Sequence, residues 1–204
     1  LAKTLPYNSM EQFIFYLRQG VEHITDPEGL DHMIFIITLC AVYTTNSKWR
    51  QLLILVTAFT LGHSATLALA ALKIIPINQQ FVETLIPITI LLTSIYNITR
   101  KNNSSSGRFQ MNYFLALAFG LIHGMGFSNF FSAMMMGISD NSIILPLFSF
   151  NLGIEMGQLC IVSVFVLLAY LFNTFLRVKH HDWNLYISGA GGGVAITMIV
   201  KALL

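Results

Sequence analysis

Between His23 and His32 the chain places two histidines and three acids, Asp26, Glu28 and Asp31, within ten residues. Imidazole and carboxylate together suit a borderline divalent metal such as nickel, cobalt or zinc. Pro27 fixes φ and has no N–H to donate, so a helix stops there, and Gly29 permits a turn. The segment therefore bends into the apolar run 33–42. The same residues also suit a polar hinge at a membrane surface, with Asp26 or Asp31 capping helix ends. Four more ionisable groups, His63, Glu83, His123 and Glu155, stand inside apolar stretches. Such groups are costly in a membrane and usually face a bundle interior or a water-filled path.

Local spacing adds to this set. Asn151, Glu155 and Gln158 fall at i, i+4 and i+7, on one helical face. Thr60 and Thr66 flank His63 by a turn on either side and can orient its imidazole, while Gly120, Gly124 and Gly126 surround His123. The pattern Phe-x-Leu-x-His occurs at 59–63 and again at 119–123, each time followed by a stretch carrying a glutamate. That is the mark of a parallel repeat of two helices. Any one of these residues can serve packing alone; for the whole set the cost of burial argues for function. Met111, Met125 and Met134–Met136 read as packing, and His180-His181-Asp182 as a solvated loop.

The elements that must position these groups follow from composition. The 204 residues are 55% hydrophobic and 10% charged, with a mean hydropathy of +0.68. That is a polytopic all-α membrane bundle, not a soluble globule. At roughly 20 residues per span, the length leaves room for about six. The expected spans are 30–44, 49–75, 80–98, 111–137, 143–178 and 183–203. Ahead of them, 10–24 reads as an amphipathic helix on the interface, with Ser9 and Gln12 as a capping box. Residues 1–9 read as an unrelated leader, and 10–204 as a single membrane domain. Pro87 should kink its span, and 102–107 reads as a mobile polar loop. The small-residue run 188–193 suits close helix packing. Cys40 and Cys160 lie in apolar runs and read as buried thiols rather than a disulfide. A net charge of +2 with no basic tract gives no reason to expect nucleic acid.

Lysine and arginine set the expected orientation. Lys48, Arg50, Arg100, Lys101, Arg108, Arg177 and Lys179 follow spans one, three and five, against Lys73 alone after spans two and four. Positive-inside then places both termini outside the cytoplasm, in a bacterial inner membrane, with His23, Asp31 and His32 on the outer side.

The stretches His23…Gly29-Leu30-Asp31-His32, 59–67, Val82-Glu83, 119–127 and 150–158 together resemble the HupE/UreJ family of small membrane proteins. The resemblance spans most of the chain and implies a nickel or cobalt permease. The family's histidine–aspartate–histidine motif would fall on His23, Asp31 and His32. Here Asp26-Pro27-Glu28 lengthens the gap between the first histidine and the glycine.

The expected function is a divalent-metal permease. His23, Asp31 and His32, helped by Asp26, form an outer entrance; His63, His123, Glu83, Asn151, Glu155 and Gln158 continue the path inward. The expected partners are the metal ion, the bilayer and, left open, further copies of the chain. No GxxxxGK[ST] loop is present for direct ATP drive. The rival reading is a membrane-embedded metallohydrolase, in which three histidines and an acid hold zinc and leave a position for water. Histidines gathered at one depth favour the enzyme, and a polar path beyond them favours transport.

Overall fold

A computed structural model describes residues 8–27, 29–43, 49–72, 74, 78–99, 105–134 and 143–203. Seven helices account for nearly all of them: α1 (Ser9–Thr25), α2 (Leu30–Cys40), α3 (Trp49–Ala71), α4 (Gln79–Thr99), α5 (Ser105–Met134), α6 (Ile144–Phe175) and α7 (His180–Leu203). Residues 1–7 of the expected leader, Glu28 and the loop residues 102–104 lie outside the described residues.

Among the described residues five helices, α3 to α7, are long and apolar enough to cross a membrane. α2 is not. Its 11 residues reach about 16 Å at 1.5 Å per residue, about half a bilayer core. The expected count of six spans therefore becomes five plus a short apolar helix. The 32 residues of α6 extend about 48 Å, which exceeds the core. The histidines at 180 and 181 open α7 instead of standing in a loop, and 105–107 are helical rather than part of one.

α1 begins at Asn8, whose side chain accepts from the Met10 N–H, so the cap sits one residue before the expected Ser9. It ends at Thr25, just ahead of Pro27. The next cap is Gly29, with no side-chain bond; Asp31 turns its carboxylate to His32 instead.

Glycines decide which helices touch. Gly62 of α3 lies against the Leu117 carbonyl, while Gly120 and Gly124 of α5 lie against the carbonyls of Phe59 and His63. The offset stays near 60 residues along the contact, so α3 and α5 run in the same direction, as their repeated motif predicts. The same device joins α1 to α6, where Gly20 meets the Phe150 carbonyl and Gly153 the Leu17 carbonyl. The amphipathic helix is therefore laid lengthwise on a candidate span, with Tyr16, Gly20 and Ile24 buried, while Met10 and Ile14 stay exposed. Where α7 meets α2 and α4, Gly191 packs on Thr38 and Gly192 on Ser94, whereas a Cβ at Gly189 or Gly193 would meet nothing within 4 Å among the described residues. Only half of the small-residue run is used for close packing. Cys40 is buried as expected; Cys160 is exposed, because it points off the outer face of α6.

Candidate metal centre

His23 comes from the last turns of α1, Asp31 and His32 from the start of α2, His63 from α3 and His123 from α5. The close α3–α5 contact sets His63 beside His123, with ring centroids 6.4 Å apart. The bend at Pro27 then folds α2 back so that His32 comes within 4.6 Å of His23 and 3.5 Å of His123, centroid to centroid. His23 and His63 are 6.0 Å apart. Four imidazoles from four helices thus share one cluster. The separate entrance and inner station expected from the sequence are a single site.

Asp31 lies behind two of these rings. Its Oδ1 accepts from the His32 backbone N–H at 2.9 Å and is 3.0 Å from His32 Nδ1; its Oδ2 is 3.5 Å from His123 Nε2. The opposite ring nitrogens, His32 Nε2 and His123 Nδ1, are buried with no protein partner among the described residues. So are His23 Nε2 and both nitrogens of His63. Neither flanking threonine serves His63: Thr66 bonds to the carbonyls of Gly62 and His63, and Thr60 to Val56 and Gln158.

Buried polar atoms are nearly always paired, so so many open nitrogens in one place call for a ligand. A carboxylate that orients an imidazole by one nitrogen while the other stays free is the usual backing of a histidine metal ligand. Asp31, His32 and His123 each offer a donor within 4.8 Å of the others. The donors fit a divalent transition metal. Burial holds the His23 imidazole well below its usual range, with repulsion from His32, His63 and His123 added. The ring is therefore neutral at pH 7, the form in which it can bind a metal.

Phenylalanines close the site off. Phe119 is 4.9 Å from His123 and stacks on Phe35; Phe127 lies 3.7 Å from His23 and stacks on Phe150. On one side a cleft of about 550 Å³ reaches His23 between the end of α1 and the late part of α5, lined also by Gln19, Glu22, Asp26 and Phe130. Asp26 thus borders the approach.

The expected path residues sit elsewhere. Glu83 is exposed near the start of α4, bonded to Gln79, whose amide also reaches the Gly126 carbonyl. On α6, Glu155 accepts from Thr57 at 2.8 Å and Gln158 from Thr60 at 3.1 Å, so this face is turned toward α3. Asn151 bonds back to Leu147 of its own helix. Thr57 escaped the sequence reading; its only signal is its place one turn before Thr60. His181 and Asp182 face each other on the surface, away from the cluster.

No curated protein and no solved structure matches the chain. A family model described as HupE / UreJ protein matches residues 2–202. With nearly its whole length matched, the chain belongs to the HupE/UreJ family.

Proposed function

We propose that the chain is a permease for a divalent transition-metal cation, nickel or cobalt, entering at the end of the bundle that carries the α1–α2 bend. The observation that carries this reading is the convergence of buried ring nitrogens from His23, His32, His63 and His123, with Asp31 backing the rings of His32 and His123. The family is associated with nickel and cobalt transport. One carboxylate among four imidazoles offsets only part of a divalent charge. Such a site replaces the ion's water shell without the full neutralisation that would hold it fast. Asp26 and Glu22 border the cleft through which a hydrated cation reaches His23.

Beyond His63, the Thr60–Gln158 and Thr57–Glu155 pairs continue the polar surface along α3 and α6. Glu155 supplies the next negative charge. Glu155→Gln in proteoliposomes is expected to slow nickel and cobalt uptake on the order of tenfold, the effect of about 1.4 kcal/mol on a barrier. Equilibrium metal binding at the histidines should stay within about twofold, well under that same 1.4 kcal/mol. Wild-type vesicles that accumulate neither metal would sink the permease reading.

The gathering of all four histidines in one site also favours a second reading, a metallohydrolase acting on a membrane-borne substrate. Zinc retained through purification near one per chain, without uptake, would select it.

A further inference from the structure

At the contact of α2, α4 and α7 lies a second buried polar cluster, apart from the histidines. Asn97 donates from Nδ2 to the Thr38 carbonyl at 2.7 Å and to Ser188 Oγ at 3.3 Å. Asn184 donates to the Asn97 carbonyl at 3.0 Å, and Ser188 donates to Asn184. This network holds three helices together. Three of its oxygens have no partner among the described residues: Thr38 Oγ1, Ser94 Oγ and Asn97 Oδ1. Their residues are 0%, 1% and 5% exposed.

The two hydroxyls behave unlike their neighbours. Thr60, Thr66, Thr93, Ser149 and Ser163 each turn back to a carbonyl of their own helix, the usual refuge of a hydroxyl in an apolar span. Thr38 and Ser94 point instead at the helix opposite. A Cβ at Gly191 would fall on Thr38 Oγ1 and lie 3.5 Å from Ser94 Oγ; one at Gly192 would lie 3.4 Å from Ser94 Oγ. The glycines let both side chains seat their oxygens directly against α7.

We infer that an alkali-metal cation binds between α2, α4 and α7 on the oxygens of Thr38, Ser94 and Asn97. The donor set consists of neutral oxygens, the ligands of a hard cation. A divalent hard cation would want carboxylates. The acids of these three helices, Asp31, Glu83 and Asp182, are engaged at His32, Gln79 and His181 respectively. The site also lies at the C-terminal end of α2, where Thr38 and Cys40 present their carbonyls to the turn through Tyr43. The negative end of a helix that stops inside a membrane bundle favours a cation. This site does not depend on the permease reading: the ion is held whether or not a transition metal is carried.

The test is thermal unfolding of the purified protein in lipid nanodiscs, in sodium, potassium or choline chloride at equal ionic strength. Binding to the folded state raises the midpoint. In one of the two alkali salts, and not in choline, the wild type should melt roughly 2–4 °C higher, as for a stabilisation of about one kcal/mol in a chain of this size. Sodium and potassium arms tell which ion fits. Ser94→Ala and Gly191→Ala should each erase the salt-specific rise; that difference is read within each variant, so a lower baseline does not obscure it. Identical midpoints of the wild type in all three salts mean an ordered water only, and overturn the inference. A rise that survives in both variants places the ion elsewhere and overturns it equally.

Discussion

His32→Ala and His123→Ala are each expected to reduce nickel, cobalt or zinc affinity on the order of 100-fold or more, the upper end of what even an indirect ligand support costs. Titration of purified protein, read by calorimetry or by the visible absorption of cobalt, measures this. His32 and His123 are the pair that Asp31 backs and whose rings approach to 3.5 Å. His23 and His63 lie farther out, at 6.0–6.4 Å from one or more of their partners. Their alanine variants should therefore lose less, roughly tenfold, and Asp31→Asn should fall between, at 10- to 100-fold. Equal affinity in wild type and in the His32 variant would remove the metal reading altogether.

Acid should mimic these losses. His23 is held neutral because burial lowers its folded-state pKa below the unfolded value near 6.5. The sign follows: the unfolded chain takes up the proton first, so the stability present above about pH 6.5 is lost as pH falls below it. Protons and metal also compete for the same nitrogens. Metal binding should thus weaken from pH 7 to pH 5, and bound metal should shift the acid-unfolding midpoint downward.

Much of this candidate site is legible in the sequence. Ionisable residues in apolar stretches announce themselves by cost, which is what singles out His63 and His123 in the sequence. The repeated Phe-x-Leu-x-His motif also foretold that α3 and α5 run in one direction. Convergence was not legible. Whether His23 meets His63 depends on the azimuth of α1 against α6, which Gly20 and Gly153 set by contacts across more than 120 residues of chain. The two tiers assumed for the histidines came from counting depth along separate helices; the bend at Pro27 collapses them into one. Glu83 stands apart from the histidines. Near a helix start, an acid in an apolar run is exposed and partnered by Gln79 without entering the bundle. The Thr38–Asn97–Ser188 cluster gave no signal at all, since uncharged polar residues in spans are common and only their facing makes them unusual.

Gly120→Ala is expected to lower stability by about 3 kcal/mol, the upper end of overpacking costs. The new Cβ would meet the Phe59 carbonyl and, at 3.1 Å, the His63 nitrogen, both backbone atoms of α3. A side chain could rotate away; a helix backbone must move as a whole, so the α3–α5 contact has to open. Thermal unfolding in nanodiscs should show a midpoint roughly 6–12 °C lower for a chain of this size. The same exchange at Gly193, which has nothing within 4 Å, should be neutral or stabilising by up to about 1 kcal/mol, because alanine is the better helix former. That contrast separates a packing clash from a general intolerance of alanine. Because His63 belongs to the turn that is displaced, Gly120→Ala should also weaken metal binding, whereas Gly193→Ala should leave it unchanged. If both variants melt with the wild type, α3 and α5 are not in backbone contact, and the histidine cluster they position loses its foundation.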